Sequence, residues 1–395
     1  MIYFGIQLYE TIITHKIFLF ECFVLYVWMI WLMKWLTSRH YKKYTESPEG
    51  LSTSVIVPCL NEKPNLFRKC LHSIIQSHPD ELIVVLDKLD KNENLAKIAH
   101  EYTDMVYRGT IAGKRQNLVD GLNMSTGDII ILADSDTIFL EDTIKNLIKP
   151  FTDERIGGVT TRQHIIDSHR NIISKFCNWM ETIRFSINMP AQSVHGGVGC
   201  LPGRAIAFRR EILVKNSNEF LNETFLGVKC NSGDDRFLTS RALRDGWNTV
   251  YQSDAVVFTD CPENFTKFVN QQLRWARTSQ RETLKSLGWL WKRPFTFFCF
   301  VTDIITPLFF AVVVINTAIN WITHTSYFDI PIHSAIIMSL IGMNISLGVR
   351  QYPHLVNNHR DIFYLPLYVL FMTFVMTPIR IWGLLTMRNK KWMTR

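Results

Sequence analysis

At 395 residues, with 12% aromatic residues, 11 tryptophans and a net charge of +8, the chain is long enough for two domains and too rich in apolar runs for an ordinary soluble enzyme. Its eight cysteines are scattered with no C-x-x-C pair, which argues against a zinc site or a disulfide framework and fits a reducing cytoplasm. The positive charge suits anionic lipid headgroups and phosphate-bearing substrates, and no basic module interleaved with aromatics points to nucleic acid.

The first apolar run, residues 17–36, is long enough to cross a bilayer, with Glu21 near one end and Lys34 near the other. It is too long for the apolar region of a cleaved signal peptide, and no small-residue cleavage site follows it. Three more apolar stretches cover about 295–322, 332–349 and 362–386. Arg39, Lys42 and Lys43 follow the first run, Lys292 and Arg293 precede the second, and the loop 323–331 has neither Lys nor Arg. The positive-inside rule therefore predicts that 39–293 is cytoplasmic. Pro366 and Pro378 divide the last stretch, which predicts an interfacial or re-entrant helical pair that leaves the basic tail Arg388, Lys390, Lys391 and Arg395 on the cytoplasmic side. A plain fourth span is the alternative.

The expected organisation is thus an N-terminal span and juxtamembrane segment over 1–44 and a cytoplasmic catalytic domain over 45–262. An amphipathic interfacial helix over 263–293 and two transmembrane helices over 294–349 come next. Interfacial or re-entrant helices and a cytoplasmic tail complete it over 350–395.

Within the cytoplasmic region, residues 53–58 read as a strand, 64–77 as a helix and 81–86 as a second buried strand ending at Asp87. Asp87 falls where a base or ribose is gripped in such folds, although a surface turn accounts for it equally well. Gly113-Lys114-Arg115 opens a helical pattern from Gln116 to Met124; a glycine and two cations at a helix start suit an anionic ligand, or simply a solvated helix start. Residues 129–133, all apolar, lead into Asp134-Ser135-Asp136-Thr137. Strand, helix, strand repetition predicts an α/β fold with a parallel-rich sheet, helices on both faces, and ligands beyond the carboxyl ends of the strands. Two carboxylates at i and i+2 in that place can hold a divalent cation that bridges phosphates. In an isolated turn the same pattern is ordinary solvated turn chemistry.

Further on, Gly233-Asp234-Asp235-Arg236 opens a helical stretch from Phe237 to Arg244 that ends at Gly246. One of the adjacent carboxylates can be oriented by a cation while the other takes a proton, or the pair can be a helix N-cap. Residues 264–287 are amphipathic, with Gln271-Gln272-Leu273-Arg274-Trp275 at the start and Arg274, Arg277, Arg281 and Lys285 recurring on one helical face. Such a face beside a membrane span usually meets lipid headgroups, and here the Trp also suits a sugar ring.

Taken together, Asp87, Asp134-Ser135-Asp136, Gly233-Asp234-Asp235-Arg236 and Gln271-x-x-Arg274-Trp275, in this order and spacing, resemble the membrane-integrated family 2 glycosyltransferases, the group of cellulose, chitin and hyaluronan synthases. The resemblance covers about residues 50–395. It is nearest to the hyaluronan synthase branch, which the terminal Lys391-Trp392-Met393-Thr394-Arg395 also echoes.

The resemblance implies a GT-A fold joined to transmembrane and interfacial helices, a UDP-sugar donor held with Mn2+ or Mg2+, and inversion by direct displacement. It implies that Asp87 contacts the uracil side and Asp134 the ribose side of the nucleotide, that Asp136 ligates the metal with Asp134 beside it, and that Lys114 and Arg115 line the donor pocket. Asp235 is then the general base beside Asp234, Arg274 holds the diphosphate, and Cys200, Trp275 and Arg236 lie on the acceptor side. Trp392 and Arg395 match a segment that closes over bound nucleotide. A retaining mechanism asks more of adjacent Asp234 and Asp235 than their spacing readily allows.

The expected product is a hyaluronan-like or chitin-like polysaccharide built from UDP-GlcNAc, UDP-GlcA or both. The alternative is a single transfer to a lipid or lipid-linked acceptor, and a partner subunit or oligomer is compatible with either. Met393 stands where the family usually has Gly, and members carry more spans before and after the shared region. A complete polymer channel within this chain alone is therefore not expected. A transporter or scaffold is disfavoured by the intact carboxylate at every catalytic position. Among Arg162, Arg204, Arg209 and Arg210, the sequence does not single out the cation that selects the sugar.

Overall fold

The computed structural model describes residues 19–322 and 332–389. Helix α1 (Leu19–Ser38) precedes a domain built from β1 (Thr53–Cys59), α2 (Pro64–Gln76), β2 (Glu81–Leu86), α3 (Glu93–His100), β3 (Val106–Arg108), α4 (Lys114–Met124), β4 (Ile129–Ala133), β5 (Ile138–Phe139), α5 (Thr143–Ile148) and β6 (Ile156–Ile165). It continues with α6 (Ile172–Ile183), α7 (Met189–Val194), β7 (Ala205–Arg209), α8 (Arg210–Leu221), the hairpin β8 (Thr224–Phe225) and β9 (Val228–Lys229), α9 (Asp234–Arg244) and β10 (Asn248–Thr259).

Eight strands form one sheet in the order β3-β2-β1-β4-β7-β6-β10-β5. From β3 to β4 every pairing is parallel, with Val55 opposite Leu82 and Thr53 opposite Ile129. β7 then runs antiparallel to both β4 and β6, so the sheet is mixed beyond β4. All seven residues of β1 are buried because both faces are covered. Val55 and Val57 pack with Phe67 and Leu71 of α2, whereas Ile56 faces Leu118 and Leu122 of α4. This two-sided burial fixes where the strands end, and the loops that carry the carboxylates leave from those ends.

The domain is followed by α10 (Phe265–Leu290), α11 (Pro294–Ile322), α12 (Ile332–Arg350), the short α13 (Tyr352–Leu355), α14 (Leu365–Phe371) and α15 (Thr377–Leu385). Among the described residues, three helical runs are long and apolar enough to cross a membrane: 19–38, 294–319 and 359–385, with mean hydropathies of 1.6, 2.4 and 1.9. Phe23 of α1 meets Phe309 and Phe310 of α11 at ring separations of 5.4 and 5.5 Å.

The expected helical pair over 362–386 is instead one continuous helical path. A 3-10 turn over 359–364 runs into α14, and a π-helical turn over 372–376 joins α14 to α15. Pro366 and Pro378 are the second residues of α14 and α15, next to the 3-10 and π-helical turns where the hydrogen-bond ladder changes register.

The expected lipid-facing basic stripe of α10 is likewise corrected. Arg277 and Arg281 are buried, with Arg277 donating to Thr386 Oγ1 at 2.9 Å and Arg281 to the Ser232 carbonyl at 2.9 Å. Lys285 Nζ reaches the carboxylates of Glu223 and Glu282. Arg281 and Lys285 thus face the catalytic domain, where a carbonyl and buried carboxylates receive them, while Arg277 faces the end of α15.

Candidate active site

Asp134 and Asp136 follow the carboxyl end of β4. The Asp134 amide donates to the Arg204 carbonyl at 3.0 Å, and the Thr137 amide donates to the Asp134 carbonyl at 3.1 Å. Ser135, between the two aspartates, donates to Glu62 Oε2 at 2.9 Å, so the turn is fastened from both sides. Across it, Lys114 Nζ lies 2.5 Å from Asp134 Oδ1 and 4.0 Å from Asp234 Oδ2. One ammonium thus joins the β4 turn to the start of α9. Burial alone lowers the Lys114 ammonium, but Asp134 and Asp234 outweigh it and hold its pKa above the usual value.

Asp87 is buried, and its carboxylate is already engaged by the chain. Oδ2 accepts from the Gly113 amide and from Asn117 Nδ2, each at 2.8 Å, and Oδ1 accepts from the Leu89 amide at 2.9 Å. It fixes the Gly113 turn, whose φ of 128° suits glycine, and so sets the direction in which Lys114 leaves that turn.

The expectation for Arg115 is corrected. Its guanidinium is buried and donates through Nε to Asp234 Oδ1 at 2.9 Å and through Nη1 to the Phe220 carbonyl at 2.9 Å. Its Nη2 lies 2.7 Å from Glu223 Oε2. With these donors committed to the protein, Arg115 orients Asp234 from behind and does not face a donor pocket.

Gly233 caps α9 with a φ of 87°, and a Cβ there would sit 1.9 Å from Thr278 Cγ2 of α10. Close approach and backbone conformation both demand glycine. The next two residues separate in role. Asp234 is held by Arg115, whereas Asp235 Oδ2 accepts from the Gly203 amide at 3.1 Å and Oδ1 from the Arg236 amide at 2.8 Å. Burial, then the neighbouring Asp234 charge, pushes the Asp235 carboxyl above the usual aspartate range, against those two amides and Lys114. A carboxylate of raised basicity is what proton abstraction needs.

Cys200 Sγ lies 3.9 Å from Asp235 Oδ2, and burial pushes its thiol up to about 12, so it is a neutral wall of the site. Arg236 does not line the acceptor side as expected. It is buried, donates to the Gly199 carbonyl at 2.7 Å and to Thr283 Oγ1 at 3.2 Å, and lies 3.8 Å from the Phe300 ring centre. Arg236 ties the 199–203 loop to α10 and α11.

Trp275 projects from α10 between two guanidinium groups, Arg184 at 6.0 Å and Arg204 at 5.7 Å from its ring centre. Arg184 and Arg204 share Glu181, each 3.0 Å from its carboxylate, and Arg204 also donates to Gln163 Oε1 at 2.8 Å. Gln163 in turn donates to the Pro202 carbonyl at 2.9 Å. Of the four candidate arginines, Arg204 is the one joined to this site. Arg209 is bound to the carbonyls of Phe151, Asp153 and Ile156, and Arg210 to Ser125 and the Leu122 carbonyl. Burial lowers the Arg204 pKa, and Glu181, Asp136 and Asp134 raise it more, so its field reaches both β4 aspartates.

Glu181, Gln163 and Glu62 were not anticipated as site residues. A signal existed for Glu181 alone: it is the one acidic residue of α6, three residues before Arg184. Arg274 lies beside Trp275 on α10. Trp392 and Arg395 lie outside the described residues.

A curled mixed sheet with paired aspartates beyond β4, and adjacent carboxylates at the start of α9, define a glycosyltransferase of the GT-A class. The chain belongs to the family described as "Glycosyltransferase like family 2", whose family model matches residues 48–278, more than half of the sequence. It is 25% identical over 373 residues to a hyaluronan synthase of Streptococcus pyogenes, covering 90% of this chain and 86% of that one. To an N-acetylglucosaminyltransferase of Rhizobium meliloti it is 28% identical over 357 residues, covering 87% and 81%. Among solved structures, its fold is similar to a mannosyltransferase of Pyrobaculum calidifontis in complex with GDP-Man and Mn2+. That alignment has a TM-score of 0.63 and 16% identity, and covers 90% of this chain and 98% of that one.

Proposed function

We propose that the protein is an inverting, metal-dependent membrane glycosyltransferase that takes its sugar from UDP-GlcNAc, UDP-GlcA or both and extends a hyaluronan-like or chitin-like polysaccharide, with its catalytic domain in the cytoplasm. The observation that carries this reading is the Lys114 bridge. It joins Asp134, on the donor side, to the Asp234-Asp235 pair, where an acceptor hydroxyl loses its proton. The likeness to a hyaluronan synthase and an N-acetylglucosaminyltransferase supports the choice of sugars.

Asp136, with Asp134 beside it, suits a divalent cation of the Mg2+ or Mn2+ type. Among the described residues no group of three or more His, Cys, Asp or Glu gathers into an all-protein cage, and such cations commonly take one or two carboxylates and complete their shell with substrate phosphates and water. When bound, the cation neutralises charge that develops on the leaving diphosphate. Asp235 takes the proton of the acceptor hydroxyl as that oxygen attacks the anomeric carbon from the face opposite the nucleotide. Asp234 pairs with Arg115, and its charge raises the basicity of Asp235. Arg274 adds positive charge on the diphosphate side, and Trp275, braced by Arg184 and Arg204, offers a flat face to the acceptor sugar. Lipid-facing helices place this chemistry at the membrane surface.

Purified protein in detergent with Mn2+, given radiolabelled UDP-GlcNAc and UDP-GlcA singly and together, is expected to make high-mass product sized on a gel. Dependence on both donors and sensitivity to hyaluronidase identify a hyaluronan-like polymer; product from UDP-GlcNAc alone identifies a chitin-like one. Release of UDP with only a mono- or disaccharide product overturns the polymerase reading.

A further inference from the structure

Behind Asp234 lies a cluster of buried charges that the transfer reaction does not use. Glu223 is in the segment after α8, and Glu282 is on α10, two helical turns beyond Trp275. Both are nearly inaccessible, at 4% and 1% exposure. Their carboxyl groups meet within hydrogen-bonding range of each other. Lys285 Nζ sits against both, 2.9 Å from Glu282 Oε1 and in contact with Glu223 Oε1. Glu282 Oε2 is buried with no donor N–H or O–H among the described residues, and the nearest guanidinium, Arg241 of α9, is 3.9 Å away. Two carboxyl groups that face one another over an unmatched acceptor are satisfied by one proton between them.

The groups facing the pair account for its charge. Arg115 of α4 meets Glu223, Arg241 of α9 approaches Glu282, and Lys285 lies between them on α10. Arg281 of α10 and the Cys230 thiol complete the surroundings. Burial, and then the contact with Glu223, pushes Glu282 up to about 7. Against its own burial, Glu223 is held low by its bond to Glu282 and by Arg115 and Lys285. The pair therefore carries its proton below neutrality and surrenders it at mildly alkaline pH.

The cluster is wired to the reacting groups. From Glu223 the path runs through Arg115 Nη2 at 2.7 Å and Arg115 Nε to Asp234 Oδ1 at 2.9 Å, and Asp234 raises the basicity of Asp235. On the other side, Glu282 belongs to the helix that presents Arg274 and Trp275. We propose that Glu282 is a positioning residue: sharing one proton with Glu223, it docks α10 against the Arg115-Asp234 pair. Loss of that proton puts two like charges face to face and withdraws the Trp275 helix from the catalytic carboxylates. This rests on the assignment of Asp235 as base. It adds a pH dependence that Asp235 itself cannot produce, because a base gains activity as pH rises and Glu282 removes it.

The test compares full-length wild-type protein with Glu282→Gln, which is neutral at every pH and can still donate to Glu223. Between pH 6 and 8.5, wild-type kcat is expected to fall about tenfold for each unit above about pH 7, with the donor KM unchanged. E282Q is expected to match wild type at pH 6 and to stay flat above it. Superimposable profiles, or a folded E282Q that is inactive at every pH, overturn the proposal. If E282Q does not fold, Glu223→Gln serves instead. With the Glu223 charge gone, no second carboxylate faces Glu282, so the alkaline limb is expected to disappear, and an unchanged limb overturns the proposal.

A readout independent of transfer separates this idea from the assigned reaction. Glu282 is raised above the usual carboxylate value on folding, so its contribution to stability is complete below about pH 4.3 and is lost as pH rises through about 7. The wild-type unfolding midpoint should therefore drop relative to E282Q between pH 5 and 8. Parallel midpoints overturn the shared proton even if transfer occurs. A relative drop in protein that transfers no sugar leaves the shared proton standing and rejects the assigned function.

Discussion

Asp235 and Asp234 are chemically identical neighbours that the fold makes different. Asp234 faces a guanidinium, whereas Asp235 faces two amides, a thiol and the charge of Asp234. A base with a raised pKa works only when deprotonated, so activity is expected to fall as pH drops through a value above the ordinary aspartate pKa of about 3.9. The acid limb of kcat/KM measures this, and its absence down to pH 4 contradicts the assignment.

Arg115 makes a prediction of the opposite kind. Arg115→Ala takes from the buried Asp234 and Glu223 the cation they share, and a loss of about 3–5 kcal/mol of stability is expected in a chemical unfolding titration. Lysine at this position cannot restore the forked geometry. Asp136→Ala is expected instead to spare the fold and abolish metal-dependent UDP binding, checked by calorimetry with and without Mn2+; unchanged metal dependence removes Asp136 as a ligand.

At the level of elements, what the sequence made legible was what repeats along the chain. The strands 53–58, 81–86 and 129–133 and the helices at 64, 114 and 234 are visible in apolar runs and capping residues, and the structure has them within a few residues. The mixed pairing of β7 was not visible, because an antiparallel strand buried on both faces reads like a parallel one. The direction of the α10 basic stripe was also hidden. Periodicity puts Arg277, Arg281 and Lys285 on one face but does not say whether lipid or carboxylates lie opposite. Arg115 and Arg236 were misassigned for a related reason: their partners, Asp234 and Gly199, lie 119 and 37 positions away.

The junction of α9 with α10 can be tested through Gly233. Gly233→Ala combines a strained φ with a collision at Thr278, and about 1–3 kcal/mol of destabilisation is expected in thermal unfolding. Thr278→Ser deletes the colliding methyl group, so the double variant is expected to recover part of that loss. Strict additivity of the two changes contradicts the contact.

For the whole molecule, a GT-A domain is fastened to apolar helices through α10 and through direct contacts, among them Trp179 of α6 stacked on Tyr368 of α14 at 4.3 Å. Helix α10 carries Trp275, which lies against Arg184 and Arg204, and rests on α15, where Gln280 Nε2 donates to the Arg380 carbonyl at 2.7 Å. Phe300 of α11 presses on Gly199, where a Cβ would come within 2.0 Å of the ring. The 199–203 loop and the apolar helices are therefore parts of one packed unit, which suits the proposed elongation of a chain at a membrane surface. The measurement that bears most directly on this chemistry compares Asp235→Asn with wild type in two assays on the same preparation, Mn2+-dependent UDP binding and sugar transfer. Binding is expected to stay within about twofold while transfer falls by about 10²- to 10⁴-fold, the usual worth of a general base. Transfer at the wild-type rate would mean that Asp235 is not the base, and that the acceptor proton leaves by another route.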